Sequence, residues 1–433
     1  MKQETQAIED VSDTQAGTAG DGFFSWYKYI SLSERRAFWS CKIGYALDAM
    51  DTQFLSFVIP TLIVSWGLSR GQAGLIGTVT LLASAVGGWL AGFLSDRIGR
   101  VKTLQITILW FAVFTLACGM TQNFAQLLVA RGLMGLGFGG EWTAGAVLIG
   151  EIIRPRDRGR AVGMVQAGWA IGWAASAGLY TLVYSFVPAE YAWRLLFAIG
   201  ILPVPFVFMI RRLVDEPEVH LQQKRLQAEG QAPASWLEIF APGVWSITLR
   251  AALFATGTQG GYYAITTWLP TYLKSEQHLS VVGTGTYLAV IILGSYLGYL
   301  SGAFLSDKIG RKKNFIVFAA ISMIIALVYT RVPMTNNVML ILGFPLGFFS
   351  SGIFSGMGAF MTELFPTRIR GSGQGFCYNF GRAVGAAFPF LIGYVSQVMS
   401  LGHAIGVFAA GAYGLLIVAA LTLPETRGTR LTA

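Results

Sequence analysis

The sequence predicts an all-α membrane protein of twelve transmembrane helices, arranged as two pseudo-symmetric six-helix bundles. Three observations carry that prediction. Of 433 residues, 54% are hydrophobic and only 12% charged, about half the roughly 25% charge of an average soluble domain. Periodic apolar runs of about 18 residues or more recur along the chain, each long enough to cross the hydrocarbon core as a helix. Finally, the octet Phe93–Arg100, FLSDRIGR, returns about half the chain later as Phe304–Arg311, FLSDKIGR, changed only where Arg97 becomes Lys308. An internal repeat of this kind says that the chain is two related halves.

The elements follow in order. Residues 1–36 are expected to be a polar, disordered and interfacial tail, and the aromatic and basic stretch Phe23–Trp39 leads from it into the first span and suits the headgroup region. The N-terminal bundle is expected over 37–212. Span 1 (about Phe38–Trp66) turns at Gly67–Gly71, and span 2 (about Gln72–Leu94) returns to the first octet. There the apolar helix ends at Ser95, Asp96 and Arg97 follow, and Gly99 lets the chain reverse. Span 3 (about Thr103–Met120) and span 4 (about Phe124–Gly150) lead to a second charged turn, Glu151–Arg160. Spans 5 (about Ala161–Val187) and 6 (about Trp193–Ile210) end at Arg211 and Arg212. Residues 213–243 are polar and read as the linker between halves. The second bundle, 244–424, repeats the plan with span 7 (about Val244–Leu273) and span 8 (about Val282–Leu305), whose helix ends at Ser306 before Gly310. Spans 9 (about Asn314–Thr330), 10 (about Val338–Thr362), 11 (about Gly373–Val398) and 12 (about Gly402–Leu423) complete it, and 425–433 is a tail.

Twelve spans put both termini on one face. That face collects most of the 31 Lys and Arg, and the opposite loops keep only Arg70, Arg194, Lys274 and Arg331. Basic loops stay in the cytoplasm, so both termini are expected inside a plasma (inner) membrane. The net charge of +9 is then topology with some attraction to anionic lipid, not a nucleic-acid footprint. The three scattered cysteines, Cys41, Cys118 and Cys377, give neither a disulfide framework nor a metal spacing. No GxxxxGK[ST] loop supports direct ATP drive, and no nucleophile–base or metal constellation supports an enzyme. No cofactor is implied.

A second echo accompanies the octets. Glu151 and Arg158-Gly159 match Glu363 and Arg370-Gly371 at the inner end of the fourth helix of each half. Asp96, Arg97, Arg100, Glu151, Asp307, Arg311, Glu363 and Arg370 therefore form a candidate ionic latch holding the halves together at the cytoplasmic mouth. The alternative is that they only cap helices and set topology.

The octets resemble the loop 2–3 and loop 8–9 signatures of the major facilitator superfamily, and the twelve-span plan with its central linker extends that resemblance over nearly the whole chain. Within the superfamily, Leu47-Asp48-Ala49-Met50-Asp51 resembles the paired-Asp pattern in helix 1 of proton symporters for organic acids. The run Arg131–Glu141, RGLMGLGFGGE, with Glu151 ten residues later, resembles helix 4 of the sialate and metabolite proton-symporter groups. Span 5 lacks the Gly-Pro pair typical of drug antiporters. The resemblance implies substrate bound at the midplane between two rocking halves.

Charges inside the membrane carry the chemistry, because each costs roughly 2.5–3.5 kcal/mol on insertion scales and is a functional candidate by default. Five stand at span depth: Asp48, Asp51, Arg131, Glu141 and Arg382. Asp48 and Asp51 share a helix face. Carboxylates crowded in a low-dielectric site cannot all stay ionised, so Asp51, Glu141 and Asp48 are the proton-coupling candidates. The competing reading is a structural pair of Arg131 with Asp51 or Glu141. In the second half Arg382 is the only ionisable residue in a span interior, and a guanidinium facing a cavity suits a substrate carboxylate. Its alternative is a cross-half pair with Asp48 or Glu141. Gln166, Gln259, Asn379 and Tyr262 join Arg382 and Arg131 as substrate-binding candidates, each of them also compatible with plain packing. The function expected is import of an organic carboxylate with protons, by a protein that works as a monomer. The alternatives are a carrier of neutral solutes, an antiporter or a membrane sensor.

Overall fold

The computed structural model describes residues 25–152, 158–205, 214, 216, 236–365 and 369–426. The described chain is helical almost throughout. The first bundle contains α1 (Leu32–Trp66), α2 (Arg70–Ile98), α3 (Arg100–Met120), α4 (Phe124–Ile152), α5 (Arg158–Gln166), α6 (Gly168–Phe186) and α7 (Ala189–Ile199). The second contains α8 (Trp245–Ser275), α9 (Val281–Ile309), α10 (Arg311–Arg331), α11 (Asn336–Leu364), α12 (Arg370–Gly385), α13 (Ala387–Val395) and α14 (Leu401–Thr422). Expected span 5 is thus α5 with α6, and span 11 is α12 with α13. Seven described helices, those of spans 1–3, 8–10 and 12, are each long and apolar enough by themselves to cross a membrane. Most of the expected linker, and the end of span 6 beyond residue 205, lie outside the described residues.

Local chemistry sets the helix ends. Ser31 and Ser69 begin α1 and α2 with capping boxes completed by Glu34 and Gln72, each satisfying two amides that the first turn leaves unpaired. Gly67 closes α1 at φ 63°, a left-handed conformation that glycine adopts without a Cβ clash. The octets behave almost as expected. Their helices run on to Ile98 and Ile309 rather than stopping at the serines; in the first, one more turn closes through Gly99 N donating to Ser95 O at 3.1 Å. The reversal falls on Gly99 and Gly310, at φ 106° and 100°.

The next helix of each half starts against a carboxylate that the sequence reading had not singled out. Glu216 accepts from the backbone amides of Arg100 and Val101, at 2.8 and 2.9 Å. Glu425 accepts from those of Arg311 and Lys312, at 2.9 and 3.1 Å. An anion at a helix N-terminus satisfies orphan N–H groups and opposes the positive end of the dipole. The two-half repeat therefore extends to the segments that follow the sixth span of each half.

Within each half α2 packs on α4, α3 on α4, and α1 on α6; α9 packs on α11, and α14 on α8 and α10. Across the halves α2 meets α12 and α13, and α9 meets α5 and α6. These are close approaches between backbones. A β-carbon on Gly139 would sit 1.7 Å from Ser84 O, and one on Gly172 would sit 1.9 Å from Ala46 O. Small residues of this kind let membrane helices touch along their length.

Candidate functional site between the bundles

Every ionisable residue expected at span depth is buried. Asp48, Asp51 and Arg131 have no exposed surface, and Glu141 and Arg382 expose 1% and 2%. They fall into two layers, which follow from helix geometry: Asp51 and Arg131 lie further along α1 and α4 in one direction, Asp48 and Glu141 in the other.

In the first layer Arg382, on the last turn of α12, crosses to the opposite bundle. Its guanidinium carbon lies 5.0 Å from the ring centre of Phe138 on α4 and 5.1 Å from that of Tyr378, one turn back on its own helix. Nη2 donates to the Tyr378 hydroxyl at 3.5 Å, while Nε and Nη1 have no hydrogen-bond partner. Asp48 lies within range of the charges of Glu141, Asp51 and Arg382. Both Asp48 oxygens and Glu141 Oε2 are likewise without partners. A buried cation and two buried acids thus share one neighbourhood without a direct ion pair. Left unpaired, buried ionised groups are costly.

The second layer lies within the first bundle. Asp51 is within range of Arg131 and Thr115, yet neither of its oxygens has a hydrogen-bond partner. Arg131 donates through Nη2 to Thr52 O at 3.4 Å and lies over the ring of Phe197, 5.3 Å from its centre.

Beside Arg131 lies a pocket shared by both bundles. Gln53, Ser56, Thr80, Arg131 and Phe138 line it from one side, and Tyr262, Tyr263 and Thr266 from the other. Trp169 of α6 donates its indole N–H to the Tyr262 hydroxyl at 2.6 Å, a hydrogen bond between the halves. Trp169 also packs beside Tyr45 and Phe138, with ring centres 5.4 and 6.0 Å apart.

The remaining candidates divide. Gln259 donates to Tyr378 O at 2.7 Å and accepts from Tyr263 Oη at 3.1 Å, so it braces residues around Arg382. Gln166 is buried with Oε1 unpartnered. Asn379 turns toward α2: a β-carbon on Gly88 would sit 2.7 Å from its Oδ1, and its Nδ2 donates to Gly375 O in its own helix. It stands at the contact between the halves, one turn from Arg382, and its Oδ1 has no hydrogen-bond partner.

Among the latch candidates whose side chains are described, one ion pair is seen. Arg311 pairs with Glu363 at 3.1 Å, but both belong to the second bundle, where α10 packs on α11. The pair therefore ties neighbouring helices within a half and does not bridge the two. Arg100 also turns inward, donating to Ser95 O at 2.9 Å. The side chains of Asp96, Arg97, Glu151, Asp307 and Arg370 lie outside the described residues. Sequence reasoning missed Phe138, Trp169, Tyr378 and Gln53. The three aromatics carry no signal that separates them from ordinary core rings. Gln53 carried the same signal as Gln166 and Gln259, a neutral polar side chain at span depth.

Among the described residues no group of His, Cys, Asp and Glu could hold a metal ion. Comparison with known proteins shows the family. The family model described as Major Facilitator Superfamily matches residues 43–305 and 292–432. A protein described as a probable 4-methylmuconolactone transporter, from Cupriavidus pinatubonensis, is 39% identical over 94% of each chain. The cis,cis-muconate transport protein of Acinetobacter baylyi is 32% identical, over 90% of this chain and 94% of its own. Among solved structures, the proton:xylose symporter XylE superposes with a TM-score of 0.72 at 19% identity, covering 92% of this chain and 98% of its own.

Proposed function

The chain belongs to the major facilitator superfamily of transporters, and on that premise we propose that it imports an organic monocarboxylate together with protons by alternating access, with both termini in the cytoplasm. One observation carries the reading: the buried Arg382 guanidinium, held between rings of both bundles, keeps Nε and Nη1 unpartnered. Two N–H groups on a planar fork match the two oxygens of a carboxylate. The ligand's charge supplies what the site lacks, and the rings on either side favour a flat, unsaturated acid. The relatives named for muconolactone and muconate agree with small organic acids as cargo.

Asp48 and Glu141 stand on the other bundle within range of one another. A substrate carboxylate entering beside them adds a third negative charge, which favours proton uptake by one of the acids. Asp51, beside Arg131, is the second proton-coupling position, where protonation would release the arginine. Energetics support coupling. Moving one negative charge inward against 100 mV costs about 2.3 kcal/mol. One proton per monocarboxylate cancels that charge and leaves the pH gradient to drive uptake.

The test is the pH outside proteoliposomes when a panel of carboxylic acids is added, with Arg382→Ala and Glu141→Gln beside the wild type. External alkalinisation with one acid, lost in both variants, is the expected result. No pH change with any acid, with counterflow of a neutral solute instead, overturns carboxylate symport.

A further inference from the structure

The Arg382 neighbourhood accounts for one end of a ligand. A pocket that borders it at Phe138 and Tyr263 lies further along α1, and Gln53 stands there. Gln53 is 5% exposed and lines the pocket, and its Nε2 has no hydrogen-bond partner. An amide N–H₂ buried without an acceptor is unfavourable unless something arrives to accept from it. Among the described residues nothing does so, although Ser56, Thr80 and Thr266 line the same pocket. Thr80 Oγ1 donates to Ile76 O and Thr266 Oγ1 to Tyr262 O, each within its own helix.

Two further observations fix what Gln53 can accept as a guest. Arg131 lines the same pocket, and its Nε is also unpartnered. An amide donor beside a guanidinium favours an electron-rich atom and disfavours a second donor. Phe138 and Tyr263 border both this pocket and Arg382, Phe138 in ring contact with the guanidinium and Tyr263 within range of its charge. The two places are therefore neighbours, separated by the Phe138 and Tyr263 side chains. Asp48, at the level of Arg382, and Gln53 are five residues apart on α1, which is about 7.5 Å of helix rise.

We propose that Gln53 is a specificity-determining residue: it donates through Nε2 to a neutral hydrogen-bond acceptor, a carbonyl or ester oxygen or ring nitrogen, at the end of a planar acid opposite the carboxylate held by Arg382. The inference rests on the carboxylate reading of Arg382 and goes beyond it, because it states what the far end of the cargo must carry. An acid of the right length with a purely apolar end leaves Gln53 unpaired and is selected against.

The experiment uses two acids of nearly the same shape, 4-acetylbenzoate and 4-isopropylbenzoate, which differ in whether the para group can accept a hydrogen bond. Binding to the purified protein in detergent is read from the rise of its unfolding temperature with acid concentration. The wild type is expected to bind the acetyl acid roughly 2- to 10-fold more tightly, the worth of one neutral hydrogen bond. In Gln53→Leu that preference disappears while the isopropyl acid still binds, which also shows that the variant is folded. A preference that survives in Gln53→Leu, or no preference in the wild type while both acids bind, overturns the role of Gln53 and leaves the carboxylate site standing. Stabilisation of the wild type by neither acid, nor by any other carboxylate in the transport panel, defeats the Arg382 reading and this inference with it.

Discussion

Replacing Gly74 by alanine tests whether the contact between the halves is a closed gate. Gly74 lies near the start of α2, at the end of the protein away from the octets. A β-carbon there would sit 2.3 Å from the Pro389 carbonyl oxygen and 3.0 Å from the α-carbon of Phe390, both on α13 of the other bundle. Neither neighbour is the tip of a flexible side chain, so α2 and α13 must separate by about 1 Å to reach ordinary contact. Overpacking of this kind costs about 1–3 kcal/mol. That cost falls only on the arrangement in which α2 and α13 touch. The balance should therefore shift by roughly 5- to 150-fold toward the arrangement open at this end. A reporter is available in the pocket: Ser56 is 4% exposed, and the native cysteines are all buried. In a Ser56→Cys background, Gly74→Ala should raise the rate of labelling by a membrane-impermeant maleimide added at that face. Gly163→Ala is the control, since its β-carbon would meet Ala303 of the other bundle at an ordinary 3.4 Å, and it should leave labelling unchanged. Equal labelling rates in Gly74→Ala and the parent would refute the idea that this packing closes the pocket.

Three other outcomes follow from the same geometry. Arg382→Lys keeps the charge but loses the planar fork between Phe138 and Tyr378, so substrate affinity should fall roughly 10- to 150-fold, from about 1.5–3 kcal/mol of charged hydrogen bonding; near-normal affinity by the same thermal-shift titration would argue against bidentate recognition. Tyr262→Phe strands the Trp169 indole N–H, whereas adding Trp169→Phe removes both partners. The single variant should lose about 1–3 kcal/mol of stability and the double variant less than the sum of the singles, and strict additivity would mean that the 2.6 Å contact carries no coupling. Glu216→Ala uncaps the start of α3 and should cost about 0.5–2 kcal/mol, seen as a lower unfolding temperature; no change would remove Glu216 from the stabilising contacts of the first bundle.

Sequence alone determined the class of the protein, its two-half plan and the identity of the buried charges, because each of these is a local property. A charge in an apolar run announces itself wherever the helix goes, and an octet that returns announces a repeat. Gly99 and Gly310 were readable for the same reason: a chain that reverses after a helix needs the positive φ that glycine tolerates. What pairs with what was not readable, because partners across a bundle lie far apart in sequence. The latch residues show this most clearly. Their repeated pattern suggested contact between the halves, and only packing revealed that Arg311 and Glu363 sit on adjacent helices of one half. Asn379 and Arg382 are one helical turn apart, yet one meets α2 at Gly88 and the other reaches Phe138 on α4; the rotation of α12 against its neighbours decides that, and no spacing encodes it. Likewise Glu216 and Glu425 became helix caps, and Gln53 an unpaired donor in a shared pocket, only once tertiary packing fixed which polar groups had partners and which had none.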